Sequence, residues 1–234
     1  MAAEPSRIIN LFYCYAREDK SIRDDLERHL TNLKRQYPIA TWHDREISPG
    51  VEWEREIDSR LSTAHIILLL VSPHFMASQY CYSVEMKRAL ERHETGEARV
   101  VPIILRPVDW EDAPFSALQV LPKEALPVTS WSDRDLAYVD IASGIRKVVR
   151  ERYAYFATNE GNTHYKNKHY MEALDSYEQA IHLDSNFVPA YMGKGDALRE
   201  LKRYEEALAA YEQIIRLDSN FVSAYTGKGE ALSE

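Results

Sequence analysis

The sequence predicts an α/β domain with a five-stranded parallel sheet, followed by an all-α helical array. Three observations carry this. Short continuous Ile/Leu/Val runs alternate with helically spaced apolar residues up to about residue 152, the alternation stops there, and the rest of the chain repeats itself. A continuous apolar run marks a strand covered on both faces, and strands separated by helices pair in parallel through right-handed crossovers.

The strands expected are "IINLFYC" (Ile8 to Cys14), "IATWHD" (Ile39 to Asp44), "HIILLLV" (His65 to Val71), "VVPIIL" (Val100 to Leu105) and a weak fifth, "LPV" (Leu126 to Val128). Between the first two, Ile22, Leu26, Leu30 and Leu33 fall on one helical face; between the second and third, Trp53, Ile57, Leu61 and Ala64 do the same. The stretch "SQYCYSVEMKRAL" (Ser78 to Leu90) is a polar turn entering an amphipathic helix, and a closing helix is expected from about Asp133 to Arg152. In such a sheet ligands sit beyond the carboxyl ends of the strands. The loops there are "YAREDK", "DREISPGVEW" and "SPHFMASQYC".

The chain has 234 residues and a formal net charge of −8, with no basic run long enough to neutralise a row of phosphates, which argues against nucleic acid and anionic membranes as partners. Two cysteines, Cys14 and Cys81, lie in apolar elements and form no spaced disulfide framework, so a reducing, cytoplasmic address is expected. The longest apolar run, "AHIILLLV", is too short to span a bilayer. The histidines show no zinc-ligand spacing, so no metal is expected, and no glycine-rich phosphate loop is present.

"YMEALDSYEQAIHLDSNF" from Tyr170 returns as "YEEALAAYEQIIRLDSNF" from Tyr204, an offset of 34 residues. This period resembles the tetratricopeptide repeat, with Gly161 and Gly195, Ala173 and Ala207, and Tyr177 and Tyr211 at matching positions. Ser185 and Ser219 stand where that repeat usually has proline, which implies a less rigid turn. The division expected is residues 7–152 and 153–234, the second part holding two units and the start of a third, an array cut short. Its concave surface implies a protein or peptide trigger as partner.

The first part resembles a Toll/interleukin-receptor (TIR) domain of the bacterial kind. "LFYCYAREDK" is similar to its first box, "DREISPGVEWEREIDSRLSTAHIILLLVSPHF" to its second, and "SQYCYSVEM" to its third marker. The departures are Cys14, where the family generally has serine, and Tyr80, where tryptophan is common. The resemblance implies a flavodoxin-like fold and one of two functions. Some members cleave the nicotinamide–ribose bond of NAD+ in bacterial anti-phage or plant immune signalling, giving linear or cyclic ADP-ribose. Others only scaffold protein–protein signalling. In the enzymes the catalytic group is a glutamate on the helix after the third strand, which matches Glu85 here. Activation by self-association, with movement of the Arg45 to Trp53 loop, is also implied.

One carboxylate suffices for that chemistry. Ordinary glycosides need an acid to protonate the departing oxygen, but nicotinamide is a cation in NAD+ and leaves neutral. A single carboxylate near the ribose then stabilises the oxocarbenium-like transition state, and NAD+ is substrate, not cofactor. The plain alternative for Glu85 is a surface salt bridge with Arg88 or Arg92. Around it, Tyr13 and Tyr15 alternate onto one strand face, to stack on a base or to pack. Ala16 and Arg17 open the first loop, where Arg17 reaches either a diphosphate or its neighbours Glu18 and Asp19. Asp44 and Arg45 open the second loop, for ligand binding or self-association. Trp53 either closes over a nucleotide or joins the core, and Cys81 lies beside the acid.

Overall fold

The computed structural model describes residues 8–43 and 53–233. Two compact units divide the chain, one ending at Val149 and the other beginning at Arg150.

In the first unit four parallel strands, β1 (Ile9–Tyr15), β2 (Ile39–Trp42), β3 (Ile66–Val71) and β4 (Arg99–Ile104), lie in the order β2-β1-β3-β4. All six residues of β3 are fully buried, as a strand covered on both faces requires. The crossover to β2 carries α1 (Lys20–His29) and α2 (Thr31–Gln36). Ile22, Leu26, Leu30 and Leu33 are all buried across this pair. The next crossover is α3 (Trp53–Thr63), which buries Ile57 and Leu61; Ala64, just past its end, is buried too. Beyond β3 come α4 (Pro73–Ala77), a π-helical turn over Cys81–Glu85 and α5 (Met86–Glu94).

Among the described residues the sheet has four strands, not five. Leu126 to Val128 is not a strand: Val128–Ser130 forms a 3-10 turn. Among the described residues the only pairing on the outer side of β4 is an isolated bridge from Ile103 to Leu121, where Leu121 N–H donates to the Pro102 carbonyl at 2.9 Å and Ile104 N–H to the Leu121 carbonyl at 2.8 Å. Pro122 and Pro127 have no N–H to extend that ladder.

The closing helix also differs. α6 (Arg134–Lys166) passes the expected end at Arg152, because no proline interrupts it and its buried positions continue through Tyr153, Ala154 and Ala157. In the second unit α7 (Tyr170–Leu183), α8 (Val188–Glu200), α9 (Tyr204–Leu217) and α10 (Val222–Ser233) follow. The 34-residue period is a packing period. Gly161 and Gly193 both approach the Tyr177 ring so closely that a Cβ would come within 2.6 and 2.3 Å of it, and Gly195 and Gly227 approach Tyr211 in the same way at 2.6 Å each. Tyr177 donates to Asn162 Oδ1 and Tyr211 to Asp196 Oδ1, both at 2.8 Å.

The turns without proline are held by hydrogen bonds. Asp184 Oδ1 accepts from Asn186 N–H and Asp218 Oδ1 from Asn220 N–H, both at 3.0 Å, while the Tyr191 and Tyr225 hydroxyls donate to the Ser185 and Ser219 carbonyls at 3.1 and 3.0 Å. The looser turn expected from the missing proline is therefore tied from both sides.

Candidate active site

From β1 the chain crosses first to β2 on one side, then returns to β3 on the other. The sheet thus reverses direction at β1 and β3, the position where the carboxyl ends of strands leave a crevice. A cleft of about 420 Å³ opens there, within the usual range for small-molecule sites. Tyr13, Tyr15, Ala16, Arg17, Cys81 and Glu85 line it, all of them candidates from the sequence. Glu18, His74, Ala77, Ser78 and Tyr80 complete the wall.

Glu85 is only 6% exposed, so it is not the solvated helix residue of the plain alternative. It closes the π turn, and such a turn re-aims side chains on a helix, often at functional sites. Arg92 is buried and committed elsewhere: its guanidinium donates to the Ala64 carbonyl at 2.8 Å and to the Leu61 carbonyl, and it pairs with Glu97 at 3.2 Å. These carbonyls lie at and just past the C-terminal end of α3, where a helix runs out of its own N–H donors.

The near neighbour of Glu85 is Cys14. The Cys14 thiol donates to Glu85 Oε2 at 2.7 Å, in the position where the family's serine would offer a hydroxyl. Burial first, then its hydrogen bond with Cys81 and the charge of Glu85, push the Cys14 thiol well above the ordinary cysteine range. It therefore stays a neutral donor. The Cys81 thiol in turn lies 3.6 Å from the Tyr15 carbonyl.

The tyrosines of β1 do share one face, and it is the face turned to α1. The Tyr13 hydroxyl donates to Glu27, which also takes Lys34 Nζ at 2.5 Å and Thr41 Oγ1 at 3.1 Å. Tyr13 lines the cleft while its hydroxyl is committed to α1. The Tyr15 ring lies under the Arg23 guanidinium, 5.1 Å from its centroid, with Arg23 Nη2 at 3.4 Å from the hydroxyl. Arg17 and Glu18 stand exposed at the rim. Asp44 and Arg45 lie outside the described residues; Trp53 begins α3, and its side chain lies outside them too.

Sequence reasoning missed the residue that binds the strand ends together. Asp19 is fully buried and accepts from Ser72 Oγ and from Arg106 Nε at 2.7 Å. Ser72 follows β3 and Arg106 follows β4, so one carboxylate ties the segments after β1, β3 and β4 beside the cleft. The signal was an acid in "YAREDK" whose spacing to either partner carries no period.

Among known proteins, the family model for the TIR domain matches residues 11–151 and that for the tetratricopeptide repeat matches residues 158–220. "Uncharacterized protein y4lF" of Sinorhizobium fredii (strain NBRC 101917 / NGR234) is 49% identical over 140 residues, covering 60% of this chain and 43% of that protein. "2' cyclic ADP-D-ribose synthase BtTIR" of Bacteroides thetaiotaomicron is 29% identical over 101 residues, covering 43% of this chain and 34% of that protein. The chain spans less than half the length of each of these curated relatives. The parallel sheet in the order β2-β1-β3-β4 and the family match over most of the first unit agree: this chain belongs to the TIR domain family and carries tetratricopeptide repeats after that domain.

Proposed function

We propose that the chain cleaves the nicotinamide–ribose bond of NAD+, with Glu85 as the carboxylate that stabilises the cationic ribose. The observation that carries this is a buried acid on the wall of the cleft at the sheet's switch point, held by a neutral thiol donor. A carboxylate with little water around it acts more strongly on a developing positive charge than one in solvent. The C–N bond breaks with its electron pair going to the nicotinamide nitrogen, which leaves neutral. Water then attacks the anomeric carbon and gives up a proton to solvent, leaving ADP-ribose, or an atom of the same molecule attacks with loss of one proton to give a cyclic product. The relative named 2' cyclic ADP-D-ribose synthase BtTIR supports cyclisation as one outcome. Activation by self-association of TIR domains, a bacterial immune role and a protein trigger on the repeats belong to the same proposal and rest on family membership.

The test is NAD+ consumption, with products separated by chromatography, at high protein concentration with a crowding agent, for the wild type and Glu85→Ala. Nicotinamide release by the wild type and none by a folded Glu85→Ala is the expected result, and the co-product distinguishes hydrolysis from cyclisation. Consumption by neither protein, or equally by both, removes Glu85 from catalysis; the first of these favours a scaffold.

A further inference from the structure

We infer that Cys14, Cys81 and Glu85 form a site for a thiolate-seeking divalent cation, zinc by class, at the inner wall of the cleft. The two Sγ atoms and a Glu85 carboxylate oxygen all lie within 4.8 Å of one another. All three residues are buried, and they come from two supports: Cys14 from the central strand β1, Cys81 and Glu85 from the ends of one π turn. Histidine spacing in the sequence gives no sign of this, because the convergence is made by the fold.

The donor set suits a tetrahedral ion. Zinc–sulfur bonds of about 2.3 Å and zinc–oxygen bonds of about 2.0–2.2 Å set ligand–ligand edges of about 3.8 Å between sulfurs and about 3.6 Å from sulfur to oxygen. Cys14 Sγ and Glu85 Oε2 are 2.7 Å apart, so a metal between them widens this pair by about 0.9 Å. Cys81 and Glu85 line the cleft, so an ion held by them borders the space a ligand would fill. Two thiolates select against magnesium and calcium, which take oxygen ligands.

Binding releases two protons, one from each thiol, as two metal–sulfur bonds and one metal–oxygen bond form; no electrons are transferred. The regulatory consequence rests on the NAD+ reading above: an ion on Glu85 neutralises the carboxylate and blocks the cleft.

The full chain, reduced and stripped of metal, is titrated with Co²⁺ and then with Zn²⁺. We expect one equivalent of cobalt to give thiolate-to-cobalt charge-transfer absorption, and one equivalent of zinc to displace it. Cys14→Ser and Cys81→Ser each lose that absorption and weaken zinc binding by about 100-fold, while Glu85→Gln, which keeps the side chain's size, weakens it by about 10-fold. No thiolate absorption in the wild type, or stoichiometric zinc retained by the double serine variant, overturns the inference. This readout needs no NAD+. A wild type that binds zinc and never consumes NAD+ upholds the metal site and removes the NAD+ reading; NAD+ cleavage untouched by zinc, with no cobalt signal, does the reverse.

Discussion

Cys14 and Glu85, 71 positions apart in sequence, meet at 2.7 Å as thiol donor and carboxylate acceptor beside the cleft. Because the thiol is held well above its usual range, it donates across the physiological pH span and adds no second negative charge next to the acid. Cys14→Ser keeps a donor at this point and Cys14→Ala does not. On the proposed function, the serine variant retains NAD+ cleavage, whereas the alanine variant loses about 10-fold in kcat/KM, the kinetic equivalent of one hydrogen bond worth about 1.4 kcal/mol. Steady-state rates of both variants, with circular dichroism to verify folding, check this.

Glu27 is a structural acid on the other face of β1. Burial pushes its carboxyl up, but hydrogen bonds from Lys34, Tyr13 and Thr41 outweigh burial and hold it below the usual glutamate range. A carboxyl depressed in the folded state stabilises the fold above its unfolded pKa, and the contribution is lost as pH falls through the folded value. Glu27→Gln should therefore cost about 1–3 kcal/mol at pH 7. In urea melts across acid pH the wild-type advantage should shrink below the ordinary glutamate range; an advantage that grows there would exclude this account.

Much of the sheet is legible in the sequence, because a strand buried on both faces writes a continuous apolar run, as β3 does in "IILLLV". The fifth strand is misread because Leu126 and Val128 have strand-like side chains, whereas pairing is decided by backbone N–H groups that Pro127 lacks. Alternation groups Tyr13 with Tyr15, but which helix they meet is set by packing, and only Glu27 in α1 hints at it. The Cys14–Glu85 pair is less legible still. Nothing periodic within β1 or the π turn reports on a contact between them; the departure from serine at Cys14 was the one mark that pointed there.

The glycines of the repeats separate close packing from backbone freedom. A Cβ at Gly195 would sit 2.6 Å from the buried Tyr211 ring, while one at Gly229 in α10 meets nothing within 4 Å. Gly195→Ala should destabilise by about 1–3 kcal/mol through overpacking. Gly229→Ala should stabilise by about 0.5–1 kcal/mol, since alanine loses less backbone entropy in a helix. Thermal melts of the two variants should move in opposite directions.

Asp196 and Asn162 occupy the same place in successive repeats, each accepting a tyrosine hydroxyl at 2.8 Å. The first repeat does with a neutral amide what the second does with an acid. Burial raises the Asp196 carboxyl above its usual value, against the opposing pull of the Tyr211 hydrogen bond and Arg199. An acid raised in the folded state favours the fold at low pH, and that contribution disappears as pH rises through the folded value. At neutral pH its ionisation is thus a cost to the fold. Asp196→Asn keeps the acceptor and removes the charge, so it should raise stability at pH 7. The gain should vanish once pH has fallen below the ordinary aspartate range, where the wild type is protonated in both states. A variant less stable than the wild type at pH 7 would mean instead that attraction between Asp196 and Arg199 outweighs the burial of the charge.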